Sequence, residues 1–302
     1  MKLDLIRYIC ILLNHSPMTN YKRPQIALIY DFDGTLAPGN MQEFGFIQAI
    51  GDDIDQFWEK CNNLASNNDA NHILTYMYTM LKEARADGIS LRRESFQKFG
   101  SMVKLFPGVQ EWFSVINKVG DELGLDIKHY INSSGLREMI EGTSIYHEFE
   151  AIYSSTYLYD ADGVAYWPGV AVDSTAKTQF IFKISRGIKE LSDNLKVNEY
   201  MPHDERPVQY QHMIYFGDGM TDVPSMVLVR YFGGHSIAVF ADDECHKDQA
   251  RKLIEHNRVD FIAKADYSEG GEIYRLVKSM LEKMKADYDF DQLLRCHKAS
   301  CK

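Results

Sequence analysis

Ile26-Ala-Leu-Ile-Tyr30-Asp-Phe-Asp-Gly-Thr-Leu36 is an apolar run that ends in two carboxylates, Asp31 and Asp33, one residue apart, before the chain turns at Gly34. Apolar, β-prone residues bounded by a turn residue are the signature of a buried strand. An Asp-x-Asp at the carboxyl end of such a strand aims Asp31 and the following carbonyl into one crevice, with Asp33 alongside. Oxygen ligands grouped in this way bind a hard cation and leave one carboxylate free to attack an electrophile. A bare Asp-x-Asp is most often a solvated turn. The strand before it and the Gly-Thr after it make the full string far more specific.

The same pattern recurs in Met213-Ile-Tyr-Phe-Gly-Asp-Gly-Met-Thr-Asp-Val-Pro-Ser-Met226. A second apolar strand runs into Gly217-Asp218-Gly219, and the glycines allow a sharp turn at its end. Asp222 follows, and Thr221 or Asp222 can cap a helix that begins near Val223, with Pro224 suited to its first turn. The pair of strings resembles the first and fourth motifs of the haloacid dehalogenase (HAD) superfamily, the fourth in the form seen in phosphoserine-phosphatase-like members. Most members are Mg²⁺-dependent phosphohydrolases.

That resemblance implies two further elements. After the β-prone Asp126–Ile131 stand Asn132-Ser133-Ser134-Gly135, similar to the family's second motif, a hydroxyl that holds a phosphoryl oxygen at a strand-to-helix turn. Ser133 is the better match, and Ser134 takes its place if the strand runs one residue longer. By itself, either serine is an ordinary helix cap. The third element is a lysine that neutralises charge between nucleophile and phosphoryl group. Lys177 and Lys183 both qualify. Ser174 or Thr175 can cap a helix starting near Lys177, which puts Lys177 in a first turn facing the sheet's carboxyl edge, whereas a lysine at 183 reads as a solvated face. A first-turn lysine opposes the helix dipole at roughly 0.5 kcal/mol, so a partner anion is expected, and Lys177 is the choice.

The roles the resemblance implies are specific to residues. Asp31 is the nucleophile that forms an aspartyl-phosphate, and Asp33 protonates the leaving alcohol and then activates water. Asp31, the Asp33 backbone carbonyl and Asp218 hold Mg²⁺, with Asp222 beside them through water or hydrogen bonds. HAD dehalogenases lack a carboxylate at the place of Asp33, so dehalogenation is disfavoured. Phosphoserine phosphatases also carry an acidic residue soon after the first motif and a lid arginine. Glu43 is displaced from that placement, and Arg85, Arg92 and Arg93 are unanchored, so phosphoserine specificity does not follow. The implied function is hydrolysis of a small phosphate monoester. The alternatives are a phosphotransferase with the same intermediate, or a non-catalytic HAD-fold binding protein.

The whole chain is compatible with this. It has 302 residues, 45% of them hydrophobic and 25% charged, the balance of an ordinary globular protein. Its net charge of −10 suggests neither a nucleic-acid nor an anionic-membrane partner. It also repels a phosphorylated metabolite at long range, so binding one requires a local positive centre such as a metal, a lysine or helix amino termini. Five scattered cysteines point to a reducing, cytoplasmic setting. The tail Cys296-His297-Lys-Ala-Ser-Cys301 lacks the second ligand pair of a zinc site. No stretch approaches eighteen apolar residues, and the amino-terminal Tyr8–Leu13 run lacks a small-residue cleavage site.

Further β-prone runs occur at 149–153, 236–240 and 260–263, with helical patterns at 109–122, 135–142, 177–191, 223–231, 244–257 and 269–286. Alternation of this kind predicts an α/β fold, a doubly wound and mostly parallel sheet covered on both faces. About 65 residues between the first motif and the next βα unit are too many for a loop. They resemble the helical cap of HAD members that insert a lid there. The expected organisation is a discontinuous core at 21–36 and 105–286, a helical cap at 37–104, an amphipathic or disordered extension at 1–20 and a tail at 287–302. Asp162-Gly163 signals a hairpin, and 192–211 a surface excursion. Pro38-Gly39 and Pro107-Gly108 are the two connectors to the cap.

Overall fold

The computed structural model describes residues 23–300, so the expected extension at 1–20, and Cys301 of the Cys/His tail, lie outside the described residues. Seven strands, β1 (Gln25–Tyr30), β2 (Asp126–Leu136), β3 (Ala151–Tyr159), β4 (Ala165–Val170), β5 (Met213–Gly217), β6 (His235–Phe240) and β7 (Phe261–Lys264), form one sheet in the order β4-β3-β2-β1-β5-β6-β7. All neighbours pair in parallel except β3 with β4. The helices are α1 (Phe46–Ala49), α2 (Ile54–Asn68), α3 (His72–Ala86), α4 (Arg93–Gly100), α5 (Val109–Leu123), α6 (Arg137–Glu141), α7 (Ala176–Ser185), α8 (Val223–Tyr231), α9 (Glu244–Glu255) and α10 (Glu272–Ser300). None of them is long and apolar enough to cross a membrane.

Strand β1 shows why the sheet is covered twice. Ile26, Leu28 and Tyr30 pack with Trp112, Phe113 and Ile116 of α5 and Ile273 and Val277 of α10. Ala27 and Ile29, pointing the other way, pack with Phe180, Ile181 and Ile184 of α7 and Met226 and Val229 of α8. A strand buried on both faces is a continuous apolar run, which is how 26–30 reads. The chain steps outward from β1 through β2 and β3 to β4, then returns so that β5 pairs with the other side of β1. That reversal opens a crevice at the carboxyl ends of β1 and β5, where open α/β sheets bind ligands.

Several boundaries differ from expectation. Strand β2 does not stop at 131. It runs to Leu136, so Asn132-Ser133-Ser134-Gly135 are strand, not helix cap, and α6 starts only at Arg137. The register with β3 shifts between Ser133 and Leu136. Ser154 Oγ donates to the Gly135 carbonyl (2.7 Å) and Ser155 Oγ to the Ser134 carbonyl (3.0 Å), so side-chain hydroxyls supply bonds that a regular ladder would make. Strand β3 likewise continues to Tyr159 and turns through Asp160–Gly163 into β4, at the expected hairpin. Helix α7 ends at Ser185, not 191, where Gly187 adopts φ +69°. There is no separate tail from 287: α10 continues to Ser300, with the i,i+4 pairs Lys283–Asp287 and Lys285–Asp289 spanning the expected boundary.

The insertion between β1 and α5 is helical. Its polar stretch at 62–72 is the end of α2, a left-handed Asp69, and Asn71, whose side chain accepts from Ile73 N and Leu74 N as the cap of α3. Helix α4 packs on α6 of the core at a distance only glycine permits. A Cβ on Gly100 would lie 1.8 Å from the Met139 carbonyl oxygen, and one on Gly142 1.9 Å from that of Gln97. Arg93 pairs with Glu141 (3.1 Å), and Phe96 stacks on Tyr157 of β3.

Under the sheet, the Tyr30 hydroxyl accepts from Trp112 Nε1 (2.8 Å) and meets His129 Nδ1 (3.1 Å), while His129 Nε2 faces Asn117 Oδ1 (3.0 Å). The acceptor at Asn117 assigns the ring proton to Nε2, so the tyrosine donates to Nδ1. Burial, assisted by Lys128, pushes the imidazole down to about 3. The unfolded chain takes up this proton near pH 6.5, so stability present above that pH is lost as pH falls toward 3. Urea unfolding at pH 7 and pH 5 is therefore expected to show the wild type losing about 2 kcal/mol more than His129→Gln, which has no such proton to gain. Equal losses would mean that His129 is not held neutral.

Candidate active site

The carboxyl end of β1 is tied to β5 by Asp31 N–H donating to the Phe216 carbonyl (2.9 Å), and Phe32 N–H orients the Asp31 carboxylate through Oδ1 (2.7 Å). Asp31 Oδ2 lies 2.7 Å from Lys177 Nζ, and the same nitrogen is 2.8 Å from Asp222 Oδ1. Tyr215 OH donates to that Asp222 oxygen as well (2.7 Å). Lys177 is fully buried. It stands in the first turn of α7, whose capping position is held by Thr175 without a side-chain bond; the bonds come from Asp173, whose Oδ1 accepts from Thr175 N (3.0 Å) and Ala176 N (2.8 Å). Asp222 occupies the capping position of α8 without capping it, because its carboxylate is drawn inward to Lys177 and Tyr215. Thus the dipole conflict expected at Lys177 is resolved by two anions from other elements.

Asp218, one residue past β5, completes a group of three with Asp31 and Asp222. Each offers a carboxylate oxygen, and these lie within 4.8 Å of one another. Gly34 brings the loop after β1 onto this group. Its φ is +70°, and a Cβ there would lie 2.2 Å from Asp218 Oδ2. The charges press on each other. Burial of the Lys177 ammonium opposes its charge, but Asp222 and Asp31 raise it above the ordinary lysine range. Burial and the neighbouring Asp31 push Asp222 and Asp218 upward against the pull of Lys177. Asp222 Oδ2 is buried and has no hydrogen-bond partner among the described residues. An all-oxygen donor set with a carboxylate oxygen left unpaired fits a hard metal ion.

Asp33 stands apart from this group of three. Its Oδ1 accepts from Met41 N (2.9 Å), and removal from water, together with Asp31, pushes its carboxyl well above the usual range. Ser133 is buried, and its Oγ accepts from Gly135 N (3.1 Å), which leaves its own proton to donate elsewhere. Ser134 also faces the site, with its carbonyl bonded by Tyr76 OH (2.8 Å). Lys183 is far from a solvated face: it is buried, and its Nζ donates to the Glu190 and Leu191 carbonyls (3.1 and 2.6 Å).

Above these groups lies a cavity of about 550 Å³, with Asp31, Asp33, Ser133 and Asp218 on the core side and Gln42, Trp58, Asn62, His72 and Tyr76 on the insertion side. Arg85, Arg92 and Arg93 do not line it. They bind the Ala165 carbonyl, the Asp162 carbonyl and Glu141, respectively. Glu43 braces the wall from behind, accepting from Trp58 Nε1 (2.9 Å) and Asn40 Nδ2 (2.6 Å). Tyr215 and the polar lining of Gln42, Asn62 and His72 were not legible in the sequence. Tyr215 sits in an apolar strand like any core aromatic, and the other three lie in segments with no motif.

Comparison with known proteins speaks to the family and the fold. A family model described as haloacid dehalogenase-like hydrolase matches residues 28–226. An uncharacterized protein of Borreliella burgdorferi is 28% identical over 288 residues, covering 85% of this chain and 97% of its own. Among solved structures, a probable phosphoserine phosphatase from Vibrio cholerae superposes with a TM-score of 0.55 at 13% identity, over 87% of this chain and 67% of its own. An apo phosphoserine phosphatase gives 0.52 at 14% identity, over 81% and 96%. At such identities the two structures speak for the fold.

Replacing Lys177 with methionine removes the countercharge of two buried carboxylates, and leaving such charges unpaired costs about 3–5 kcal/mol. Guanidinium unfolding of Lys177→Met at pH 8 is expected to show a loss of that order. The loss should shrink as pH falls and Asp222, already raised, takes up a proton. A loss below about 1 kcal/mol at pH 8 would contradict the pairing.

Proposed function

Because the chain belongs to the haloacid dehalogenase-like hydrolase family, we propose that it is a Mg²⁺-dependent phosphohydrolase acting on a small phosphate monoester through an aspartyl-phosphate on Asp31. The observation that carries this is the convergence of Asp31, Lys177 and Asp222 at 2.7 and 2.8 Å beneath a cavity that also receives Asp33, Asp218 and Ser133. Asp31 attacks phosphorus as the bond to the leaving alcohol breaks. Asp33, whose carboxyl burial and Asp31 push well above the usual carboxylate range, gives its proton to the departing oxygen. Asp33 then takes a proton from the water that displaces phosphate from Asp31. Ser133 donates its free hydroxyl proton to a phosphoryl oxygen, and Lys177 offsets the charge gathered at the nucleophile. Mg²⁺ held by Asp31, Asp218, Asp222 and the Asp33 carbonyl would neutralise charge on the phosphoryl oxygens, and the lack of nitrogen or sulfur donors favours it over zinc or copper.

Residues 37–104 are proposed to act as a lid, which supports a small substrate over a phosphoprotein or nucleic acid. Its two connectors run side by side at the base: Phe106 N–H donates to the Leu36 carbonyl (2.9 Å), and Tyr267 bonds both the Pro107 carbonyl and the Thr35 carbonyl. A pivot between them would lie next to the nucleophile. The scattered cysteines and acidic charge suit a cytoplasmic enzyme.

The test is an assay over a panel of phosphate monoesters with Mg²⁺ and with chelator. Turnover is expected with Mg²⁺, its loss with chelator and its return on adding Mg²⁺ back. Full activity in metal-stripped protein would sink the metal assignment. Asp31→Asn should abolish turnover while folding survives, and Asp33→Asn should leave a slow enzyme that accumulates phosphoenzyme. Wild-type turnover by purified Asp31→Asn would rule out Asp31 as nucleophile.

A further inference from the structure

The cavity is chemically lopsided, and its insertion side says something about the alcohol. Gln42 is only 1% exposed, yet it lines the cavity and its Oε1 has no hydrogen-bond partner among the described residues. Buried amide oxygens are rarely left in that state, because the desolvation is uncompensated. Ser134 Oγ, across the same cavity, is also buried and unpartnered among the described residues. Both are acceptors that a ligand's O–H can satisfy. Gln42 belongs to the 3-10 turn Met41–Glu43, and the N–H of its neighbour Met41 holds Asp33. The turn that positions the proposed acid of the leaving oxygen therefore also presents Gln42 to the group attached to that oxygen.

Charge points the same way. Among the described residues neither lysine nor arginine lines the cavity, and the Lys177 ammonium beneath it is already shared between Asp31 and Asp222. Of the two lining histidines, His246 is paired through Nδ1 with Asp243 (2.6 Å). On the floor stand Asp31, Asp33 and Asp218. A carboxylate or second phosphate on the substrate would be buried beside the Asp31 and Asp218 carboxylates with no lysine or arginine among the described lining residues to pair it, an arrangement that disfavours a second anion. Trp58 and Tyr76 add broad apolar faces with polar tips already engaged by Glu43 and by the Ser134 carbonyl.

We infer that the alcohol half of the substrate is an uncharged, hydroxyl-bearing group with no second anion, and that Gln42 selects it by accepting a hydrogen bond from one of its hydroxyls. This rests on the phosphatase reading of the same site. Three-carbon esters of nearly equal size test it: glycerol 3-phosphate, phosphoserine and 3-phosphoglycerate, with p-nitrophenyl phosphate as the generic control.

With Mg²⁺, kcat/KM for glycerol 3-phosphate is expected to exceed that for either carboxylated ester by at least about tenfold. Gln42→Ala should lower kcat/KM on glycerol 3-phosphate about tenfold more than on p-nitrophenyl phosphate, chiefly through KM. Gln42→Glu, still an acceptor, should retain most activity on glycerol 3-phosphate and widen the discrimination against 3-phosphoglycerate. If Gln42→Ala fails to fold, the wild-type panel and Gln42→Glu decide. Hydrolysis of p-nitrophenyl phosphate together with equal or better use of a carboxylated ester overturns the inference alone. A uniform loss by Gln42→Ala on every ester removes Gln42 from the selecting role. No hydrolysis of any ester brings down the phosphatase reading and the inference with it.

Discussion

Lys177 carries a charge with no exposure to water, and it can do so because Asp31 from the end of β1 and Asp222 from the start of α8 reach it at 2.7 and 2.8 Å. Burying three ionised groups is expensive, and an ion cluster of this kind seldom stabilises a fold more than packed apolar residues would. Its presence at the carboxyl edge of the sheet is therefore better explained by chemistry than by stability. The rest of the edge depends on it. Tyr215, Asn132 and the cap of α7 all hold members of the cluster: Tyr215 bonds Asp222, Asn132 Nδ2 bonds the Lys177 carbonyl, and Asp173 starts the helix that carries the lysine.

The sheet supplies the frame in which that cluster can form. The chain reverses direction across β1, so the carboxyl ends of β1 and β5 are neighbours, and residues 31 and 218 meet although nearly two hundred positions separate them. Gly34 is the local condition, since any side chain there would occupy the place of Asp218 Oδ2. Facing this charged floor is an insertion wall made of amides, aromatic rings and the His72 imidazole. On the proposed reading the floor takes the phosphoryl group and the wall an uncharged alcohol. The insertion is not loosely attached, because α4 meets α6 through Gly100 and Gly142 at backbone contact. Motion of the wall must leave that contact in place or break it as a unit.

The sequence by itself determined the α/β class and the family resemblance, and it singled out the three aspartates Asp31, Asp33 and Asp218, because each stands at the end of a short apolar strand beside a turn glycine, patterns written in consecutive positions. It also singled out Lys177, through a capping pattern that placed a lysine against a helix dipole. Tertiary structure decided what depends on pairing across the chain. Strand β2 extends to Leu136 only because β3 hydroxyls complete its bonding. Asp222 abandons its cap only because Lys177 and Tyr215 lie beneath it. Lys183 is buried only because the segment after α7 folds back to offer two carbonyls. Gln42 became visible as a wall residue only once burial had left its Oε1 without a partner among the described residues. Local pattern records which residues can do chemistry, whereas burial and the neighbours that impose it arise from contacts between distant segments, which no single stretch of sequence contains.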